Sequence, residues 1–235
     1  MKMPAKTILS DFFFPERCLI CGGVIKPGEV ICGECMKSAE IIPRPKCPLC
    51  GMPANLCSCG AGGKFYTAVT SPFYYEGKIR NAVRRWKFDG ETDITAFWAS
   101  AVASAVTEDF PAVKFDAVTF VPQTEKEMSE RKYNQSEILA EYVSRILNVP
   151  CKSLLVKTRE TEKQRTVPEF MKKGNVFGSF AFSGGGRYAC VLLVDDIVTT
   201  SCTIDECAKI LRMNGVNAVF CASIAMAKAD APFKV

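Results

Sequence analysis

Up to about residue 62 the apolar positions show no helical period and are broken repeatedly by Pro, Gly and Cys. Beyond a linker-like run at Gly60, Ala61, Gly62 and Gly63 they fall into regular patterns. Residues 66–75 predict a strand, or a strand pair broken at Pro72. Residues 78–87 predict an amphipathic helix. Ile79, Ala82, Val83 and Trp86 share one face, Arg80, Arg84 and Lys87 lie on another, and Arg85 stands apart. Residues 94–106 predict a second, more buried helix, 116–122 a strand ending at proline, and 134–147 a third helix. A short strand at 153–156 precedes a polar, charged loop over 158–173. Val191, Leu192, Leu193 and Val194 are four apolar residues in a row, the pattern of a strand buried on both faces. A helix over 203–213, stopped at Gly215, and a last strand over 216–227 complete the chain. Strands alternating with helices predict an α/β fold, an open parallel sheet with helices on both faces.

The buried strand at 191–194 runs into Asp195 and Asp196, at the carboxyl end where open α/β sheets place ligands. Thr199, Thr200, Ser201, Cys202 and Thr203 follow as a hydroxyl-rich turn, and Thr203-Ile-Asp-Glu206 has a capping-box pattern. Orphan N–H groups and the positive end of a helix dipole make a phosphate seat, while the paired carboxylates suit sugar hydroxyls or a magnesium ion. This run resembles the ribose-phosphate loop of type I phosphoribosyltransferases. The resemblance implies that Asp195 and Asp196 contact ribose hydroxyls and that the 199–203 loop wraps the 5′-phosphate of phosphoribosyl pyrophosphate. Ser201 stands where that family usually has Gly, whose backbone approaches a ligand closely at any φ.

Composition adds a second chemistry. Eight of the thirteen cysteines form four close pairs: Cys18/Cys21, Cys32/Cys35, Cys47/Cys50 and Cys57/Cys59. With no convincing secretory signal, because Asp11 and Pro15 break the apolar stretch at 8–14, such density argues for zinc over disulfides and for a cytoplasmic protein. Eight thiolates satisfy two tetrahedral four-cysteine sites, which are structural because no ligand position is left open. Spacing leaves sequential and cross-braced pairing both open. Histidine is absent, which excludes imidazole bases, Ser-His and Cys-His nucleophiles and His-containing metal sites. The formal charge of +5 falls to about +1 once two four-thiolate zinc sites are counted, so net charge says little about nucleic acid. No stretch is long and apolar enough to span a bilayer, so no membrane insertion is expected.

A second basic and polar run follows Val121-Pro122. Arg131 and Lys132 suit pyrophosphate, and Asn134, Gln135 and Ser136 stand at a helix start, suited to capping the helix or reaching a ligand. Taken together, the Cys pairs, Tyr75-Glu-Gly-Lys-Ile-Arg80…Lys87, Arg131-Lys-Tyr-Asn-Gln-Ser136, Thr161-Glu-Lys-Gln164…Phe180 and the Asp195-Asp196…Thr199-Thr200 loop resemble the ComF family of competence-associated proteins over nearly the whole length. The resemblance implies a zinc-binding module over 1–62 fused to a type I phosphoribosyltransferase-like domain over 63–235. It also implies a role in DNA uptake during natural transformation. Magnesium would accompany phosphoribosyl pyrophosphate, and partners would include single-stranded DNA, a DNA-uptake helicase or other competence proteins. Arg80, Arg84 and Lys87 are the candidate nucleic-acid contacts. Departures are Ser201, Lys132 in place of Gly, and Gln123-Thr124 in place of Leu-His. They favour a sugar-phosphate binding site over a catalytic centre, with Asp195, Asp196 and Arg131 as the catalytic candidates. Two alternatives are an active phosphoribosyltransferase on an unidentified acceptor and a zinc-ribbon adaptor with a vestigial sugar site.

Overall fold

The computed structural model describes residues 15–57, 59–60, 63–89, 93–131, 133–159 and 176–228. The cysteine segment contains one short helix, α1 (Gly33–Ser38), and a 3-10 turn at Ala54–Leu56. Beyond it come β1 (Ala68–Thr70), β2 (Phe73–Tyr74), α2 (Gly77–Asp89), α3 (Asp93–Asp109), β3 (Ala117–Phe120), α4 (Glu125–Arg131) and α5 (Gln135–Leu147). The chain continues through β4 (Leu155–Lys157), β5 (Phe180–Phe182), β6 (Cys190–Val198), α6 (Cys202–Met213) and β7 (Ala218–Met226).

β1, β7, β6 and β3 lie side by side in that order, all parallel, and β2 extends the β1 edge of β7 past Pro72. The open parallel α/β sheet read from the sequence is therefore the fold. Its centre is β6, whose four apolar residues are wholly buried because both faces are covered. Leu192 and Val194 face the cluster formed with α2, α3 and α5, and Val191 and Leu193 face the cluster formed with α6, β4 and β5. The predicted stripe Ile79, Ala82, Val83 and Trp86 is buried, and the Trp86 indole N–H donates to Thr95 Oγ1 at 2.8 Å.

Three details depart from the sequence expectations. The strand expected at 153–156 lies outside the parallel sheet, pairing antiparallel with β5, a strand the sequence did not announce. The run after Val121-Pro122 forms α4, nucleated by a capping box at Thr124 and Glu127: Thr124 N–H donates to Glu127 Oε2 at 2.8 Å, and Glu127 N–H to Thr124 Oγ1 at 3.2 Å. The capping box expected at Thr203 does not form. The N-cap of α6 is Ser201, with no side-chain cap, and Glu206 accepts instead from the Gly178 N–H at 3.0 Å. Of the loop expected over 158–173, residues 160–173 lie outside the described residues.

The cysteine segment packs firmly on this frame. Cys18, Ile20, Ile25 and Cys35 belong to the same buried cluster as α2 and α3. The Ile42 N–H donates to the Pro72 carbonyl at 2.9 Å and the Tyr74 N–H to the Glu40 carbonyl at 2.7 Å, laying a short antiparallel segment along β2. Arg85 donates to the carbonyls of Leu19 and Ile20 at 3.2 and 2.7 Å.

Candidate functional site

The eight cysteines gather into two clusters, Cys18/Cys21/Cys32/Cys35 and Cys47/Cys50/Cys57/Cys59, with each cluster's sulfurs within 4.8 Å of one another. The pairing is thus sequential, the alternative that spacing had left open. Zn–S bonds of about 2.3 Å give tetrahedral sulfur–sulfur edges of about 3.8 Å. Cys21–Cys32 and Cys47–Cys59 stand at 3.8 Å, and Cys50–Cys57 at 3.5 Å. Backbone N–H groups turn toward the sulfurs, from Cys32 to Cys18 at 3.3 Å and from Gly23 to Cys21 at 3.4 Å. Gly22 and Gly51 follow the second Cys of their pairs at φ +75° and +70°, the left-handed turn that only glycine takes without cost. The donor set fits two structural zinc ions.

The second site lies at the carboxyl end of the sheet. β3 pairs with β6 only as far as Val194, whereas β7 accompanies β6 to Val198. Asp195 and Asp196 therefore sit within β6, not beyond it, where the neighbour on one side has ended. Asp195 Oδ1 accepts from Ser136 Oγ at 3.0 Å and from the Asp196 N–H at 2.8 Å. Burial and the adjacent Asp196 charge push the Asp195 carboxyl up to about 7, against those hydrogen bonds and Lys87. Asp196 Oδ2 is paired with the Lys87 ammonium at 2.6 Å. Asn134 caps α5 through its side chain, accepting the Ser136 N–H at 3.0 Å, and donates to the Val121 carbonyl at 3.1 Å. That clamp fixes Ser136 against Asp195.

The loop of Thr199, Thr200, Ser201, Cys202 and Thr203 curls from β6 into the N-terminus of α6, around a small hollow of about 30 Å³ lined by residues 195 and 197–204. Two orphaned polar atoms mark this end of the sheet. Thr200 Oγ1 and Gln123 Oε1 are buried without a hydrogen-bond partner among the described residues, the condition expected of groups shaped for a polar ligand. Ser201 takes φ +57°, the left-handed conformation that glycine holds more easily. A larger hollow, about 720 Å³ and lined by Asp116, Arg187, Tyr188 and Asn214, opens near the amino ends of the strands. It brings together neither paired acids nor a hydroxyl loop, and open α/β sheets bind ligands at the other end.

The remaining candidates divide. Arg131 ends α4 on the same side of the sheet, though its side chain, like the whole of Lys132, lies outside the described residues. Arg80 and Arg84 are exposed on α2. Lys87 does not join them: it turns inward to Asp196 with its side chain 15% exposed. The sequence reading missed Lys87 and Gln123 as members of the acid site. Gln123 follows Pro122 at the end of a strand, a position that could have flagged it; the Lys87 contact needs the tertiary fold.

Comparison with known proteins adds three kinds of likeness. Residues 9–64 match the double zinc ribbon domain. Competence protein ComFC of Bacillus subtilis is 25% identical over 82% of this chain and 82% of its own. Competence protein F of Haemophilus influenzae is 28% identical over 88% of this chain and 95% of its own, and DNA utilization protein YhgH of Escherichia coli K12 is 25% identical over 87% and 94%. Among solved structures, a purine phosphoribosyltransferase from Pyrococcus horikoshii aligns with 58% of this chain and 80% of that one. Its identity of 17% and TM-score of 0.36 are too slight to carry an argument. Among the described residues no helix is long and apolar enough to cross a membrane.

Proposed function

Taking the chain as a homologue of the competence proteins ComFC and F with an N-terminal double zinc-ribbon domain, we propose that it binds phosphoribosyl pyrophosphate or a similar sugar phosphate and acts in DNA uptake. The observation that carries the reading is the meeting of Asp195 and Asp196 with a hydroxyl loop whose Thr200 Oγ1 is buried and unpartnered. In this reading the N–H groups and hydroxyls of 199–203, at the N-terminus of the twelve-residue α6, take the 5′-phosphate. Asp195 and Asp196 accept from the ribose hydroxyls. Arg131 and Lys132 serve the pyrophosphate. Among the described residues no third carboxylate joins the two acids to build a metal cage, so magnesium is expected to arrive on the pyrophosphate and offset its charge. The zinc ions hold the ribbons together and take no part at this site.

Calorimetry with phosphoribosyl pyrophosphate and magnesium tests this. The wild type should bind, and Asp195→Ala/Asp196→Ala should bind at least about 100-fold more weakly, the loss of two charge-assisted hydrogen-bond acceptors. Equal heats from both proteins, or none from the wild type, would remove the sugar seat. A contact to single-stranded DNA is supported by the exposed pair Arg80 and Arg84, one helical turn apart. Affinity for a single strand should then fall steeply with salt and drop in Arg80→Ala/Arg84→Ala. Binding unchanged in that variant would take α2 out of the interface.

A further inference from the structure

Lys87 stands in the last turn of α2, and its ammonium meets Asp196 Oδ2 at 2.6 Å. Both side chains are mostly buried, 15% and 14% exposed, so solvent does not screen the pair as it screens an ordinary surface bridge. The residue is also held by its backbone. The Gln135 side-chain amide donates to the Lys87 carbonyl at 3.0 Å, and Gln123 donates to Gln135 Oε1 at 3.2 Å. Gln135 adjoins Ser136, whose hydroxyl donates to Asp195 Oδ1 at 3.0 Å. Lys87 on α2 and Ser136 at the start of α5 thus reach the two carboxylates, and Gln123 after β3 braces them through Gln135.

Charge explains why such an arrangement is useful. Two neighbouring carboxylates repel a ligand that carries phosphate and pyrophosphate, even as their oxygens suit its hydroxyls. A fixed cation on one carboxylate removes much of that repulsion without covering the other acid. We propose that Lys87 is a positioning residue of the sugar-phosphate seat: it fixes the Asp196 carboxylate through Oδ2 and offsets its charge, so that a polyanionic sugar phosphate can bring its hydroxyls to both acids. The proposal rests on the sugar-phosphate reading given above. It also separates Lys87 in role from Arg80 and Arg84, which share its helix but face outward.

The groups that face Asp195 are Asp196 on its own strand, Lys87 on α2, the Ser136 hydroxyl on α5, and the thiols of Cys207 on α6 and Cys221 on β7. Burial drives both thiols well above the ordinary cysteine range, so they stay neutral. Lys87 is then the cation that holds Asp195 down toward 7 against burial and Asp196. An ionised carboxylate accepts from hydroxyls more strongly than the neutral acid, so binding should strengthen as pH rises through about 7. Without Lys87 that midpoint should move to higher pH.

The test is calorimetry of the zinc-loaded full chain with phosphoribosyl pyrophosphate and magnesium across mildly acidic to mildly alkaline pH. Lys87→Met should weaken binding at least about tenfold and raise the midpoint, whereas Lys87→Arg should keep most of both. A ¹³C carboxyl titration of Asp195 in Lys87→Met, or in Lys87→Gln if Met disturbs the packing, should show the same upward movement with no ligand present. Wild-type affinity and an unmoved midpoint in Lys87→Met would overturn the role of Lys87 alone. No binding by the wild type at any pH would overturn the sugar-phosphate reading and this proposal together.

Discussion

The zinc ribbons and the parallel sheet hold their backbones by different means. Over residues 15–57 regular structure amounts to a six-residue helix and a three-residue turn, and large apolar side chains such as Met36 and Leu56 remain 63% and 70% exposed. β6, by contrast, carries four consecutive apolar residues with no exposure at all. Burial specifies the strand, whereas sulfur–metal bonds must specify the ribbons. Structural zinc contributes on the order of 10 kcal/mol to the folding of such small modules. Yet the ribbons are not free-standing, because Ile20 and Ile25 complete the cluster over α2 and α3 and residues 40–42 lie along β2.

The sharpest way to break the comparison is therefore to take the metal away. The protein should contain about two zinc ions per chain, and chelation should abolish amide protection throughout 18–57 and weaken it on β2 and α2, while β6 and β7 stay protected. Hydrogen exchange read by mass spectrometry distinguishes the regions. Cys35→Ser, at a wholly buried ligand position, should lose one zinc and the protection of 18–35 first. Loss of protection in β6 and β7 at the same time would show ribbons and sheet to be one cooperative unit.

A smaller effect is expected at the joint between the two regions. Lys46, its side chain only 4% exposed, reaches Asp109 at 2.9 Å and the Ser71 carbonyl at 2.7 Å, while Arg44 donates to the other Asp109 oxygen at 2.8 Å. Burial pushes the Asp109 carboxyl up, but hydrogen bonds from Thr70, Lys46 and Arg44 outweigh it and hold the group below the usual range. Burial also pulls the Lys46 amine down. With three acceptors around it, including the Thr70 hydroxyl at 3.1 Å, we read Lys46 as charged. Lys46→Met removes the buried cation from Asp109 and leaves it Arg44 and Thr70 as partners, so it should cost about 1–3 kcal/mol in urea unfolding of the zinc-loaded protein. Lys46→Met/Asp109→Leu should recover most of that. The depressed Asp109 pKa contributes stability that is present above the unfolded value of about 3.9 and lost as pH falls through the folded one. Acid should accordingly weaken the wild-type joint only below about pH 4, and the double variant should lack that component.

What the sequence made legible follows from how local each cause is. Four apolar residues in a row leave no solvent face, so the burial of Val191 to Val194 was readable without a partner strand. Cys pairs and a double acid are equally local. The extension of β6 to Val198 was hidden because it depends on where β3 and β7 end. Thr124-x-x-Glu127 and Thr203-x-x-Glu206 have the same spacing, and only the first closes into a capping box. At the second, Glu206 is claimed by Gly178, a neighbour that only the fold supplies. The inward turn of Lys87 was hidden for the same reason: its helical face matches Arg80 and Arg84, and its partner lies on another element.

The finest comparison concerns Ser201, where the sugar loop and the second ribbon come nearly into contact. Its left-handed backbone, φ +57°, costs a non-glycine residue about 1 kcal/mol or somewhat more. Its hydroxyl, however, lies close enough to Tyr66 to act on the phenol, and the Tyr66 hydroxyl donates at 2.7 Å to the carbonyl of Leu49, between two zinc-binding cysteines. Ser201→Gly relieves the backbone and loses the hydroxyl, with added chain entropy in the unfolded state, so its net effect on stability should stay within about 0.5 kcal/mol. Ser201→Ala keeps the strain and loses the hydroxyl, and should cost about 1 kcal/mol more than the glycine variant. Urea midpoints of the two variants separate the terms. If Ala matches the wild type, the hydroxyl contributes nothing, and strain alone distinguishes this loop from its glycine-bearing counterparts. If Ala falls well below the wild type, Ser201 ties the phosphate loop to the ribbon at the expense of an easier turn.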